Sequence, residues 1–372
     1  MQQIEDFRMQ ESFDVLASSG CYHVHIGEGL LEKVFSDYPD AFYVVDAKLK
    51  NILPENFKAC LFIEAIEENK SLEKMPDVIL KMREAHLNRT SHLVAIGGGI
   101  IQDIATFVTS IYMRGIGWTY MPTTLLGMTD SCIGGKSSIN ALGYKNLVGN
   151  FYPPKSVSID MRFIKTLDAD QVIGGLFEAV KICYAKDSST FLAYLQDEPK
   201  FPLNASLAQR LLSRALKTKK WFIEVDEFDQ NERLLLNFGH TFGHALEAGT
   251  DFAIVHGIAV GIGMVIAIEY AKQNNYLNHE GLERTQMLSD HVRLMIAESL
   301  SDLLATFPKL DLNQIIEKFD HDKKHQTNSY RLIIPKEEGA LTIINQDKTE
   351  EVRQKITKAY QLGLNVIGYP NF

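Results

Sequence analysis

The stretch HLVAIGGGIIQDIATFVTSIYM, residues 92–113, decides the fold. It begins with the apolar run HLVAIGG (92–98), which predicts a buried strand. A glycine cluster, 97–99, follows directly, and the amphipathic segment DIATFVTSIYM (103–113) predicts a helix. The segment therefore predicts a strand, a tight turn and a helix in immediate succession.

A nucleotide is the natural ligand of such a turn. Glycines let a diphosphate approach the backbone, and the amide groups at the helix N-terminus meet its charge. Asp46, at the end of an earlier predicted strand, is placed to accept hydrogen bonds from a ribose. The run is not the GxGxxG fingerprint, so a tight turn without a ligand stays open as the alternative.

Strand and helix patterns alternate on both sides of this segment. Five further short runs predict strands: YHVHI (22–26), AFYVVD (41–46), CLFIEA (60–65), WTYMP (118–122) and SVSID (156–160). Between them, residues 71–87 predict a helix with Ser71 as its N-cap. This alternation predicts an α/β fold with a parallel sheet.

The pattern changes to long helical stretches after about residue 165. Residues 171–185, 206–225 and 256–273 predict helices, and residues 330–343 predict a small hairpin. We therefore predict an α/β domain over residues 1–162 and a mostly α-helical domain over residues 163–372.

Composition and charge exclude several classes of protein. The 372 residues, 45% of them hydrophobic and 23% charged, are typical of a globular protein of about two domains. There are 38 Lys and Arg against 47 Asp and Glu, a net charge of −9, which argues against a nucleic-acid surface. The most apolar run, 252–268, contains a histidine and three glycines and is short for a membrane span.

Cysteine usage and the first residues predict a cytoplasmic protein. The four cysteines are scattered and form no CxxC pair. The sequence MQQIEDFRMQESFD contains acidic residues where a signal peptide has a basic region followed by an apolar one.

Histidines and a glutamate on three predicted helices indicate a metal site. In NFGHTFGHALE, His240 and His244 are four residues apart and share a helix face. His256 opens the next helix, and Glu178 lies on an earlier one. Two histidines and one carboxylate would hold Zn²⁺ with one position open for a substrate oxygen. Interior histidines that bind no metal are the alternative.

Two better-known motifs are only approximated. The HExxH pattern of metalloproteases requires glutamate where Thr241 stands, and the P-loop pattern requires glycine where Asp130 stands. The sequence therefore predicts neither a metalloprotease nor a P-loop nucleotidase.

Several cationic residues are candidates for binding an anion. Lys136, Lys145 and Asn146 lie in one stretch that we expect to be rich in loops. Lys219 and Arg233 flank the acidic segment VDEFDQNE, just before the histidines. Arginine offers a planar fork for carboxylate or phosphate, although charged residues of this kind usually form a solvated surface.

Together these motifs resemble the 3-dehydroquinate synthase family of sugar phosphate cyclases. They occur in the family's order and spacing and cover residues 60–265 densely. The matching strings are GGGIIQD (97–103), YMRG (112–115), PTTLLGMTDSCIGGKSSIN (122–140), KNLVGNFYPP (145–154), LFEAVK (176–181), RLLLNFGHTFGHALE (233–247) and VHGIAVGIGM (255–264). The more distant glycerol dehydrogenase and iron-dependent alcohol dehydrogenase group lacks the GGK and KN segments.

The resemblance implies an N-terminal NAD-binding domain, a helical domain with Zn²⁺ or Co²⁺, and a homodimer. The implied metal ligands are Glu178, His240 and His256. The positions implied around NAD are Asp46, Glu67, Lys70, Gly98, Gly99, Asp103, Thr123, Thr124, Asp130, Lys136, Lys145, Phe163 and Thr166, and Asp130 and Lys136 also match residues near the substrate. The implied substrate residues are Lys181, Lys219, Arg233, Asn237, His244 and Asn146. Arg114 matches an arginine that reaches the partner subunit's phosphate site, and Lys324, in preference to Lys323, matches a further phosphate ligand.

The implied activity is that of a carbon–oxygen lyase of the shikimate pathway, which eliminates phosphate from a carboxylate-bearing sugar phosphate. We expect 3-deoxy-D-arabino-heptulosonate 7-phosphate as substrate, because Lys219, Arg233 and Asn237 match the residues that face its carboxylate. Ser137 replaces the usual threonine, and DEFDQNER differs from the common form. A paralogue acting on an aminated or other ulosonate phosphate therefore stays open. Alternatives from other classes are a metal-dependent polyol dehydrogenase and a non-catalytic nucleotide-binding protein.

Overall fold

The structure is a computed structural model that describes residues 11–52, 60–300, 310–322 and 325–369. The described residues form two compact units. The first lies within Met1–Leu167 and Asn204–Phe228, and the second within Asp168–Leu203 and Asp229–Phe372. Residues 204–228 therefore group with the first unit, whereas the predicted domains divide at residues 162 and 163.

The first unit contains a seven-stranded sheet and a small hairpin. Its strands are β1 (Glu11–Ala17), β2 (Gly20–Gly27), β3 (Phe42–Asp46), β4 (Cys60–Ile63), β5 (His92–Gly97), β6 (Gly117–Pro122), β7 (Ile139–Ala141), β8 (Tyr144–Val148) and β9 (Ser156–Asp160). The sheet order is β1-β2-β9-β6-β5-β3-β4, and β7 pairs with β8. Only β1 runs antiparallel to its neighbour in the sheet; the other pairings are parallel. The predicted parallel sheet is confirmed.

The described helices pack against this sheet in the first unit or form most of the second unit. They are α1 (Leu30–Asp37), α2 (Met75–Glu84), α3 (Gly99–Ile111), α4 (Ala169–Lys186), α5 (Ser188–Gln196), α6 (Ala205–Val225), α7 (His240–Gly249), α8 (His256–Gln273), α9 (His279–Ser299), α10 (Leu312–Asp320) and α11 (Glu350–Val366). Helix α6 belongs to the first unit, where it packs against β1. The second unit is mostly helical, as predicted.

Two local predictions were wrong. The helix expected over 71–87 begins only at Met75, after a short 3₁₀ turn, and the Ser71 side chain caps neither element. Pro76 in the first turn explains this start, because proline needs no hydrogen-bond acceptor there and its φ suits a helix. Lys145 and Asn146, expected in a loop-rich stretch, lie instead in strand β8.

Most of the apolar run 252–268, which is short for a membrane span, lies in the buried helix α8. Its residues from Gly257 to Ala271 are buried on all sides. No described helix is long and apolar enough to cross a membrane. The hairpin predicted near residue 330 is formed by β10 (Ser329–Lys336) and β11 (Ala340–Asp347).

Candidate functional site

The residues predicted around NAD all belong to the first unit, and most follow the carboxyl ends of parallel strands. Asp46 ends β3; Glu67 and Lys70 follow β4; Gly98, Gly99 and Asp103 follow β5; Thr123 and Thr124 follow β6; Phe163 and Thr166 follow β9. The carboxyl ends of parallel strands meet at one edge of a sheet, which is where open α/β sheets bind ligands. Their role in binding NAD remains a prediction.

The turn between β5 and α3 requires glycine for steric reasons. A Cβ atom on Gly98 would lie 2.9 Å from Thr124 Cγ2, and one on Gly97 would lie 2.5 Å from Ile101 Cγ1. Beside Gly99, in contrast, no described atom outside its chain neighbours and the backbone of its own helix lies within 4 Å of such a Cβ. No described side chain caps α3. This open, uncapped helix start fits an anion site.

A buried network ties strand β8 to the same edge of the sheet. Asp103 accepts hydrogen bonds from Lys70 Nζ at 3.1 Å and from the backbone amide of Ser138 at 3.0 Å. Lys70 Nζ also donates to Asn146 Oδ1 at 2.9 Å. Burial raises the pKa of Asp103 to about 6, against the opposing charge of Lys70. The network therefore joins three of the predicted site residues through direct contacts.

Lys219 is not a solvated surface lysine. It is 5% exposed on α6, and its Nζ lies 2.5 Å from Asp130 Oδ1 and also donates to the Asp130 carbonyl oxygen. Lys136 is partly buried, with its Nζ 5.9 Å above the ring of Phe151. Both ammonium groups therefore have contacts within the first unit, and their role in binding an anion remains a prediction.

Glu178, His240 and His256 come together in the second unit as the sequence predicts. Glu178 Oε1 lies 3.9 Å from His240 Nε2 and 3.5 Å from His256 Nε2. Ligands about 2.1 Å from a tetrahedral ion are separated by about 3.4 Å, so both distances are close to those of a zinc site. The three side chains come from α4, α7 and α8, and α8 packs against both of the other helices.

Glycines allow these helices to approach closely. A Cβ on Gly243 of α7 would lie 2.7 Å from the carbonyl oxygen of Ala259 on α8. A Cβ on Gly257 of α8 would lie 2.5 Å from both Cα and O of Gly174 on α4. Any larger residue at these positions would separate the helices that carry Glu178, His240 and His256.

The surroundings of Glu178, His240 and His256 are suited to binding a cation. Glu178 Oε1 is buried without a hydrogen-bond partner among the described residues, an arrangement that is costly unless a cation binds there. The other oxygen of the same carboxylate accepts a hydrogen bond from Lys181. Although burial opposes it, the carboxylates of Glu178 and Glu247 raise the pKa of His256 to about 10. The site therefore favours positive charge, and a divalent ion fits its donor set of two imidazoles and one carboxylate.

Sequence reasoning assigned no role to two carboxylates that contact the histidines. Glu247 Oε2 lies 3.0 Å from His256 Nδ1, so it fixes the ring with Nε2 toward Glu178. Asp322 Oδ2 lies 3.4 Å from His244 Nδ1. Glu247 lies seven residues after His240 on the same helix, and this spacing on one helix face could have identified Glu247 as a neighbour of the histidines. Asp322 lies on a different element from His244, and no sequence pattern indicated their contact.

The remaining predicted substrate residues of the second unit are mostly buried. Lys181 is 1% exposed and Arg233 3% exposed, so neither is part of a solvated face. Asn237 is partly buried and donates to the carbonyl oxygen of Leu234 at 3.1 Å. Lys181 pairs with the carboxylate of Glu178. Binding of the substrate's anionic groups by Lys181 and Arg233 remains a prediction.

Of the two residues predicted to bind phosphate, Arg114 and Lys324, the structure describes only Arg114. Arg114 is exposed, and it and Met113 both have left-handed backbone, with φ of 69° and 49°. Consecutive non-glycine residues in this region are strained, a feature concentrated at functional sites. Lys324 and its neighbour Lys323 lie outside the described residues.

Comparison with protein families assigns both halves of the chain. The model for the 3-dehydroquinate synthase N-terminal region matches residues 60–174, and that for the C-terminal region matches residues 175–325. The chain belongs to the 3-dehydroquinate synthase family. A 3-dehydroquinate synthase from Dictyoglomus turgidum is 31% identical over 347 residues, which cover 89% of this chain and 93% of that protein. The predicted resemblance is confirmed.

Solved structures show the same fold. A 2-deoxy-scyllo-inosose synthase, complexed with carbaglucose-6-phosphate, NAD⁺ and Co²⁺, has a TM-score of 0.80 at 22% identity, covering 95% of this chain and 100% of that one. The 2-epi-5-epi-valiolone synthase ValA from Streptomyces hygroscopicus, with NAD⁺ and Zn²⁺ bound, has a TM-score of 0.74 at 23% identity, covering 92% and 97%. The fold of the 3-dehydroquinate synthase family thus extends to sugar phosphate cyclases of low sequence identity.

Proposed function

We propose that this chain is a 3-dehydroquinate synthase, a lyase that converts 3-deoxy-D-arabino-heptulosonate 7-phosphate to 3-dehydroquinate and phosphate. Family membership over both halves of the chain supports the reaction class. The observation that carries the proposal is the geometry of Glu178. Its buried Oε1 has no hydrogen-bond partner among the described residues and lies 3.9 Å from His240 Nε2 and 3.5 Å from His256 Nε2. A family member that used no metal would have no need to bury a carboxylate oxygen in this way.

The proposal includes NAD and a divalent metal, Zn²⁺ or Co²⁺, as resident groups. Both occur in the related structures named above. When bound, NAD takes up a hydride and returns it within one turnover, and the metal makes a substrate hydroxyl more acidic. Because the hydride is returned, the net reaction is elimination of phosphate and ring closure, with no net oxidation.

The chain's own residues would bind and orient the substrate. Lys219 and Arg233 are buried cations, and we assign them to the anionic groups of the substrate, its carboxylate and its phosphate. Asp130 holds the Lys219 ammonium in place through two contacts. Asn237 and His244 complete the proposed substrate residues of the second unit, together with Lys181.

Residues of the first unit would hold the dinucleotide. The uncapped start of α3 is placed to meet the diphosphate, and Gly99 leaves room for it. Asp46, at the end of β3, is assigned to a ribose hydroxyl. Asp103 and Lys70 would orient Asn146 through the network already described.

We further propose a cytoplasmic homodimer in which Arg114 reaches the phosphate site of the partner subunit. The exposed, strained backbone at Met113 and Arg114 supports a role for this turn beyond its own subunit. Equilibrium sedimentation tests the dimer, and Arg114→Ala tests the shared site. We expect Arg114→Ala to raise KM for the sugar phosphate and leave NAD binding unchanged.

The reaction itself is tested by incubating the purified chain with 3-deoxy-D-arabino-heptulosonate 7-phosphate, NAD and Zn²⁺. We expect release of phosphate and formation of 3-dehydroquinate in equal amounts, without accumulation of NADH. If phosphate were released from an aminated or other ulosonate phosphate, but not from 3-deoxy-D-arabino-heptulosonate 7-phosphate, the chain would instead be a paralogue that acts on that other substrate. Net NADH formation with a simple polyol would instead indicate a dehydrogenase.

A further inference from the structure

A second cluster of metal-ligating side chains lies on the hairpin of β1 and β2. Cys21 and His23 are two residues apart on β2, and both are exposed, whereas Tyr22 and Val24 between and beside them are buried. Asp14 of β1 is paired directly opposite His23. Cys21 is therefore diagonal to Asp14 across the antiparallel pair, a position from which side chains reach each other.

The donor atoms of these three residues converge. His23 Nδ1 lies 2.6 Å from Asp14 Oδ1. One donor atom from each of Asp14, Cys21 and His23 lies within 4.8 Å of those of the other two. Modest side-chain rotation would bring them to the separation of about 3.4 Å that a tetrahedral ion requires.

The residue types are those that bind zinc. Cysteine is among the residues most often buried in proteins, yet Cys21 is exposed beside an imidazole and a carboxylate. Thiolate, imidazole and carboxylate together are ligands of Zn²⁺ and similar transition metals, whereas Mg²⁺ and Ca²⁺ prefer oxygen donors only. The chemistry thus selects a borderline-soft divalent ion.

The backbone that carries the cluster is fixed at its turn. The Leu16 amide donates to Glu224 Oε1 at 3.0 Å, and the Ser18 amide donates to Glu227 Oε2 at 2.7 Å. Both carboxylates lie at the end of α6 or just after it, within the same unit. The hairpin therefore holds its three side chains in register without rearrangement of the strands.

We propose that Asp14, Cys21 and His23 form a second site, which binds one divalent transition-metal ion of the zinc type and leaves its fourth position to water. The ion would cross-link β1, the edge strand of the sheet, to β2. The site shares no residue with the group around Glu178 and is independent of the proposed function.

A metal ion at the hairpin would compete with protons for its donor groups. Desolvation by its neighbours and the negative charge of Asp14 raise the pKa of the Cys21 thiol. The hydrogen bond from His23 lowers the pKa of Asp14, so that carboxylate is charged at neutral pH. Since a metal requires the thiolate, binding releases a proton, and affinity falls as the pH falls.

The test is a Co²⁺ titration of the full chain under a phosphine reductant. A thiolate-to-cobalt charge-transfer band in the near ultraviolet reports cysteine ligation specifically, so metal bound by Glu178 and histidines does not contribute. We expect the intensity of this band to saturate when one Co²⁺ ion per chain is bound by thiolate. Cys21→Ser should abolish it, and Asp14→Asn should weaken binding roughly tenfold or more.

Cys60→Ser is the matched control, because Cys60 is a partly buried thiol in β4, away from the cluster. This variant should keep the band. Absence of the band in the unaltered chain, or its persistence in Cys21→Ser, would overturn the proposal. A second measurement is the thermal midpoint, which Zn²⁺ should raise more in the Cys60→Ser variant than in Cys21→Ser; equal shifts would also contradict the site.

Discussion

Replacing Gly257 with alanine should separate two of the helices that carry the proposed metal ligands. The new Cβ would lie 2.5 Å from Gly174 Cα and O, whereas ordinary contact begins at 3.4 Å. Helices α4 and α8 must therefore move apart locally by roughly 0.9 Å. Metal–ligand distances tolerate about 0.2 Å, so the Glu178 to His256 separation of 3.5 Å cannot be kept.

We expect Gly257→Ala to lower the free energy of unfolding by about 1–3 kcal/mol, the usual cost of overpacking, and to weaken Zn²⁺ binding at least about tenfold. Denaturant unfolding and a competitive zinc-chelator titration measure the two effects. Gly174→Ala is the matched control, since its Cβ would lie 3.3 Å from Gly257 Cα and requires a shift of only about 0.1 Å. Equal zinc affinity in the two variants would refute the argument that close helix packing sets the ligand geometry.

Three further predictions concern single side chains. Glu247→Gln should weaken zinc binding by about 10- to 100-fold while preserving the fold, because its carboxylate orients His256; an unchanged affinity in chelator competition would remove that role. Lys219→Met and Arg233→Met should each raise KM for the carboxylate substrate by roughly 30-fold or more, with NAD affinity unchanged in fluorescence titration; unaltered KM in both variants would contradict their assignment to substrate anions. Burial lowers the pKa of His291 from 6.5 to about 4. Between these pH values the folded state binds fewer protons than the unfolded chain, so its free energy of unfolding decreases as the pH falls from 6.5 to 4. His291→Phe should flatten this loss of stability, measured by urea unfolding at several pH values, and an unchanged slope would show that another group is responsible.

Much of the sheet could be predicted because its central strands have continuous apolar runs. Strands β3 and β5 are buried on both faces, as parallel strands must be. Strand β1 was missed, because it is an edge strand in which only Val15 is buried. Its sequence therefore lacks the pattern on which the other strands were recognised.

The convergence of Glu178, His240 and His256 could be predicted from the sequence, but the surroundings of the cations could not. His240 and His256 each begin a helix, and the motifs around them are local in sequence. The burial of Lys219 depends on Asp130, 89 residues away, so a local reading gave the ambiguous pattern of a charged helix. Grouping of α6 with the first unit likewise depends on distant contacts, such as that of Glu224 with Leu16.

The proposed reaction eliminates phosphate from 3-deoxy-D-arabino-heptulosonate 7-phosphate without net consumption of NAD. The most direct measurement follows phosphate, 3-dehydroquinate and NADH together in one reaction with the zinc-loaded chain and catalytic NAD. We predict phosphate and 3-dehydroquinate in a one-to-one ratio over many turnovers per NAD, with activity lost in Glu178→Gln. The proposed reaction would be contradicted if the folded, zinc-loaded chain released no phosphate, or if NADH accumulated in step with product.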